Sequence, residues 1–141
     1  MKQDVKFRIV VKDPLPGVAM RVQRGRAELL TPIKTTKESL VFDLEISVDI
    51  SGETPNFLGK YAQGPKDARF IYVNSGTYAG QDNTCWSRRA KLSLMNISED
   101  QVREVLSSAG FRLETSFPGI GRDGGPTCAS VIGIEWKVAK V

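Results

Sequence analysis

Apolar and polar residues alternate through most of this chain. Between residues 40 and 50, Leu40, Phe42, Leu44, Ile46, Val48 and Ile50 fall in one phase, while Asp43, Glu45, Ser47 and Asp49 fall in the other. A period of two is what a strand needs when one face is buried and the other is wet. Val5, Phe7, Ile9 and Val11 repeat the pattern against Lys6, Arg8 and Lys12, and Pro14-Leu15-Pro16-Gly17 then turns the chain toward Val18, Met20 and Val22. Arg69-Phe70-Ile71-Tyr72-Val73 is short, aromatic and β-branched between Gly64-Pro65 and Ser75-Gly76, as a strand buried on both sides would be. Residues 86 to 94, read as a strand, place Trp86, Arg88, Ala90, Leu92 and Leu94 on one face and Ser87, Arg89, Lys91 and Ser93 on the other. Phe111, Leu113, Thr115 and Phe117 form a further alternating set, and Ile132, Ile134, Trp136 and Val138 a last one.

One stretch has helical spacing instead. Ser98 is a suitable N-cap with Gln101 three residues on, Ile97 and Val102 can form a hydrophobic staple, and Val102, Val105, Leu106 and Ala109 repeat at helical intervals before Gly110. The pattern predicts a helix over 98–109. About seven strands with one helix predict a mainly β fold, an antiparallel sandwich or barrel whose helix covers an open end or face; a split α+β sheet is the alternative. With 141 residues, no repeat and no long linker, the whole chain, 1–141, is expected to form a single domain.

Composition narrows the functional classes. No apolar run approaches the ~20 residues needed to span a bilayer, and charge interrupts the first residues too often for a secretory signal. A soluble, cytoplasmic protein without membrane association is therefore expected, with Cys85 and Cys128 as free thiols. The net charge of +4 is uneven: Lys60, Lys66, Arg69, Arg88, Arg89 and Lys91 face only Asp67 and Asp82 in sequence, which favours anionic partners. No extended basic run, RNP-type strand or paired Cys/His finger accompanies them, so nucleic acid is not the expected partner. The chain has no histidine. That excludes Cys-His and Ser-His catalysis and histidine metal sites, and neither a metal nor another cofactor is expected.

Arg88 is the candidate that changes the picture most. Carried in the phase of Ala90 and Leu92, a guanidinium needs a carboxylate, carbonyls or an anionic ligand. Stacking or pairing at the strand end is one outcome. The other is a fork for a carboxylate or phosphate, made with Arg69 or Arg89 and flanked by Trp86 and Tyr72. The glycine-rich run 117–126 adds Arg122 and backbone donors for a possible anion nest, although no nucleotide-loop signature is present, and a second glycine-bearing loop covers 76–83. Cys85 beside arginines is a conceivable nucleophile with an acidic or lysine base, but a structural thiol is the simpler reading of both cysteines. Asp43, Glu45 and Asp49 read as a solvated strand face.

Ala62-Gln63-Gly64-Pro65, Arg69-Phe70-Ile71-Tyr72, Arg88-Arg89-Ala90-Lys91-Leu92 and Gly125-Pro126-Thr127-Cys128-Ala129, with Trp136 beyond, resemble in that order the signature of a small bacterial single-domain family of unknown function. The likeness spans Val22-Gln23 to Trp136. Where that family often has paired prolines, this chain reads Val131-Ile132-Gly133. The resemblance implies a bacterial source and one domain, and no activity, cofactor or catalytic residue. The residues themselves favour a non-catalytic binding module for a small anion or an acidic protein segment at the arginine-bearing strand end. An interaction or scaffold domain, using strand edges or a patch of Phe57, Tyr61 and Tyr78, is the alternative, ahead of a histidine-independent enzyme using Cys85.

Overall fold

The computed structural model describes residues 2–14, 20–24, 28–52, 55–58, 70–75, 87–107, 110–118 and 135–141. Among them the chain forms β1 (Lys2–Lys12), β2 (Met20–Arg24), β3 (Glu28–Leu30), β4 (Lys34–Thr35), β5 (Ser39–Asp49), β6 (Asn56–Leu58), β7 (Phe70–Ser75) and β8 (Ser87–Ser93). A 3-10 turn (Leu94–Asn96) leads into helix α1 (Glu99–Ser107), followed by β9 (Phe111–Pro118) and β10 (Lys137–Lys140). Six of the seven strand-like segments of the sequence carry a strand; the last, expected over 132–138, is strand only from Lys137, with Glu135 and Trp136 outside any strand and 132–134 outside the described residues. The additional β3, β4 and β6 are two or three residues long, too short to show a period.

The strands build two sheets. The larger runs β10-β9-β1-β5-β4, with β6 also pairing β5, and the smaller runs β3-β2-β7-β8. The fold is mainly β with one helix, an arrangement that fits a sandwich or a split sheet; no closed barrel forms among the described residues. It is not wholly antiparallel. β1 pairs β5 antiparallel from Lys2↔Asp49 to Lys12↔Ser39, but pairs β9 in parallel, with Phe7 opposite Leu113 and Val11 opposite Phe117.

Alternation along β1 and β5 produces the core directly. Val5, Ile9, Val11, Ile46 and Val48 are fully buried, and Val22, Ile71, Val73 and Leu92 of the smaller sheet join them with Val102 and Val105 of α1 in one hydrophobic cluster. The helix packs on β9, β1 and β10. Its start follows the expected chemistry. Gln101 N–H donates to Ser98 Oγ at 3.2 Å, and Ser98 N–H donates to Gln101 Oε1 at 3.0 Å, a reciprocal capping box. Ile97 and Val102, the two halves of the staple, are both buried.

Trp136 ties the layers together. Its ring meets Phe7 edge-on with centroids 5.2 Å apart, its Nε1 donates to the Ser93 carbonyl at the end of β8 (3.3 Å), and its own carbonyl accepts from Gln101 Nε2 of α1 (2.7 Å). Phe57 also packs edge-on against Phe7 and is 3% exposed. It therefore belongs to the core and not to a surface patch; Tyr61 and Tyr78, proposed beside it, lie outside the described residues.

Thr115 is the polar exception on the inner face of β9. It pairs Ile9 in register and its hydroxyl is buried without a hydrogen bond. Thr115→Val keeps the shape and removes that desolvated group, so urea unfolding should show a gain of about 1 kcal/mol with an unchanged slope.

The outer face of the large sheet is charged and internally balanced. Asp43, Arg8, Glu114 and Lys137 follow one another across β5, β1, β9 and β10, alternating in sign. Arg8 grips Asp43 with two bonds of 2.7 and 2.8 Å, which holds the guanidinium pKa above its ordinary value; Arg112 grips Glu114 and donates to the Lys140 carbonyl. Such pairs on a wet face contribute at most about 1 kcal/mol each.

At the end of β5, the Ser51 hydroxyl and backbone N–H both donate to Asp49, at 2.7 and 3.0 Å, and lower its pKa to about 2. The sign follows from the direction. A carboxylate pKa lowered by folding adds stability that is complete above the unfolded value of about 3.9 and is lost as pH falls toward 2. Carbon-13 NMR titration should place the Asp49 midpoint near 2, and Ser51→Ala should move it upward; an unmoved midpoint would contradict the assignment.

Candidate functional site

The segment carrying Arg88 and Arg89 forms β8, the last strand of the small sheet among the described residues. Its partner register runs Ile71↔Leu92, Tyr72↔Lys91, Val73↔Ala90 and then Asn74↔Arg88. Arg89 is skipped. The irregularity is a β-bulge, in which an extra residue on one strand breaks the strict two-residue alternation. The sequence placed Arg88 in the phase of Ala90 and Leu92. The bulge shifts position 88 out of that phase and opposite Asn74, in the phase of Tyr72.

Registers across β2, β7 and β8 then define rows that share a face. One row is Arg21, Asn74 and Arg88; the next is Leu29, Gln23, Tyr72 and Lys91. Both lie on the face opposite Val22, Ile71 and Val73, the residues that enter the core. Among the described positions of this outer face, three are cationic and none is a carboxylate. Tyr72 is 7% exposed, and its ring lies 6.3 Å from that of Phe70 at a tilt of 31°.

Among the described side chains of the small sheet, the buried cation is Arg24. Arg24 is 4% exposed, in phase with Val22 on the core side, opposite Glu28 on one neighbour and Ile71 on the other. Sequence reasoning overlooked Arg21 and Arg24 alike. The signal for both was present in Met20-Arg21-Val22-Gln23-Arg24, where strand phase sends residue 24 with Val22 and residue 21 to the opposite side.

Of the other expected site residues, Arg69, Trp86 and Arg122 lie outside the described residues, as do Cys85, Cys128 and the loop 76–83. Within the glycine-rich run, positions 117 and 118 close β9 and the remainder is likewise outside. The structure brings Tyr72 and Arg88 onto one face in adjacent rows, with Arg89 at the bulge between them. Hollows on the large sheet have another character. One of about 480 Å³ lies where β10 joins β9, lined by Glu114, Thr115, Ser116, Glu135, Lys137, Val138 and Ala139. A second, of about 320 Å³, is bordered by Lys6, Arg8, Arg112, Asp43 and Glu45. Both mix charges of opposite sign. Among the described residues no three acidic or thiol side chains gather as a metal site would require, and no helix is long and apolar enough to cross a membrane.

A family model covers residues 5–139, nearly the whole chain, from within β1 to within β10. The chain belongs to DUF5990, a family of unknown function. Neither a curated protein nor a solved structure matches it. Two of the landmarks that carried the resemblance, Phe70-Ile71-Tyr72 and Arg88-Arg89-Ala90-Lys91-Leu92, are thus neighbouring strands of one sheet in this DUF5990 member. The family assignment itself carries no activity.

Proposed function

We propose that this protein is a binding module for a small anionic ligand, held on the outer face of the four-stranded sheet. The observation that carries this reading is the row Arg21, Asn74 and Arg88 beside the row Gln23, Tyr72 and Lys91, with no carboxylate at the described positions of that face. Arg21 and Arg88 occupy one register row, and guanidinium is the group best suited to planar, charge-assisted donation to an oxyanion. The burial of Tyr72 at the centre lowers the local dielectric and strengthens each such bond. No reaction step is assigned.

A second reading has its own observation. β8 ends the sheet among the described residues, and a bulge with nearby cations is a common way of blunting a strand edge against pairing with other chains. Arg21 separates the two readings, because it sits on the interior strand β2, where edge protection has no role.

The test is a thermal-shift panel of millimolar carboxylates, phosphates and sulfates, followed by affinity measurements. Arg21→Ala is expected to weaken the stabilising anion by about 1.5–3 kcal/mol, the worth of a charged hydrogen bond. If no anion raises the melting temperature, and Arg88→Thr with Lys91→Thr instead causes self-association, the edge reading replaces the ligand.

A further inference from the structure

We infer that the hollow where β10 leaves β9 is a separate site, suited to a free α-amino acid. It shares no residue with the anion-binding face above and does not rest on it. The two strands make the opening themselves. Val141 N–H donates to the Gly110 carbonyl at 2.6 Å, and the register runs from Lys140↔Phe111 to Lys137↔Glu114. Hydrogen-bonded positions alternate in an antiparallel pair, so they fall at 110/141, 112/139 and 114/137, and Ser116 with Glu135 would be the next. That rung is not formed, because β9 continues along β1 to Pro118 whereas β10 begins only at Lys137. The backbone N–H and C=O of Ser116 point to the same flank as those of Glu114, and there lies the hollow of about 480 Å³. Small-molecule sites occupy about 300–1,000 Å³.

One residue would complete the rung. The ammonium and carboxylate of an α-amino acid share a carbon, as the N–H and C=O of a chain residue do, so the ammonium can donate to the Ser116 carbonyl while the carboxylate accepts from the Ser116 N–H. The side chains around the gap suit both charges. Glu114 is already gripped by Arg112, with bonds of 2.8 and 3.2 Å to one oxygen. Glu135 and Lys137 are exposed and enter no ion pair among the described residues, which leaves one carboxylate and one ammonium, two residues apart, in the same lining. A simple anion is repelled by the first and a simple cation by the second; a zwitterion offers each its opposite. Val138 and Ala139, half-buried in that lining, give an aliphatic side chain apolar surface to cover.

Titration calorimetry on the full chain with L-valine, valinamide, isovalerate, γ-aminobutyrate and N-acetylvalinamide tests this. L-Valine should bind at least tenfold more tightly than valinamide, which lacks the carboxylate, or isovalerate, which lacks the ammonium. Lys137→Gln should weaken valine severalfold and leave valinamide unchanged, and Glu135→Gln should weaken valine while leaving isovalerate unchanged; both positions are exposed, so folding is not at stake. In amide NMR, valine should shift Ser116 and Ala139. Arg21→Ala should leave valine binding untouched, so this site and the anion-binding face stand or fall separately. Isovalerate or valinamide equal to valine overturns the zwitterion, and γ-aminobutyrate equal to valine overturns the shared carbon. N-acetylvalinamide equal to valine replaces the free amino acid with a peptide segment added to β9. Valine binding that ignores Glu135, Lys137 and the Ser116 amide, or no binding at millimolar concentration, removes the site.

Discussion

Trp136→Ala should lower the unfolding free energy by about 3–5 kcal/mol, the range for removing a large buried aromatic. The reason goes beyond area. Trp136 is 4% exposed and touches three layers: Phe7 of the large sheet, the Ser93 carbonyl at the end of β8, and Gln101 of the helix through its own backbone. Truncation opens a cavity and also removes the indole donor from the Ser93 carbonyl. Trp136→Phe keeps an edge-on aromatic partner for Phe7 and loses the indole N–H, so it should cost clearly less. A double cycle with Phe7→Leu should return a coupling of about 0.5–1.5 kcal/mol, as aromatic pairs do. Urea denaturation with fluorescence for the alanine variants and circular dichroism for all of them gives these numbers. A loss under 1 kcal/mol for the alanine variant would mean that Trp136 is not a joint between layers.

Gln101→Ala should cost about 1.5–3 kcal/mol, more than a helix cap ordinarily contributes. One side chain does two jobs here. Its Oε1 accepts from the Ser98 N–H to close the capping box, while its Nε2 donates to the Trp136 carbonyl. Alanine leaves a donor at the helix start and an acceptor before β10 unmatched at once. Gln101→Glu keeps the acceptor for Ser98 and replaces the amide donor with a charged oxygen facing a carbonyl. It should therefore be worse than glutamine despite glutamate's favourable place near a helix N-terminus. Equal stability of the Glu and Gln proteins would show that the bond to Trp136 contributes nothing in solution.

Much of this architecture was legible in the sequence because burial on one face imposes a period. Leu40 to Val48 and Val5 to Val11 announce their strands, and Ser98 with Gln101 announces the helix, because a capping box depends on chemistry local to four residues. The parallel pairing of β1 with β9 was not legible. Alternation says which face a residue takes and nothing about which strand lies beside it. The bulge escaped for a related reason: with Arg88 and Arg89 adjacent, both phases of the strand carry a cation, so the sequence offers no apolar marker for the residue that is skipped. Arg24 shows the opposite failure. Its phase was readable from Val22, but a long basic side chain two residues from an apolar one is usually assigned to solvent by composition, and here it is buried. Phe57 was placed on a surface because its strand, three residues long, gives no pattern to place it elsewhere.

β1 lies in the middle of its sheet, with β5 on one flank and β9 on the other. β1 leaves the ribosome well before β9 and is thus late to find both neighbours, since Phe7 must wait for Leu113 to be synthesised. Pairings this distant along a chain make folding slow, and until they form, one margin of β1 is open to any passing strand. Production of this protein should therefore be governed by how well its nascent amino-terminal half is shielded during translation.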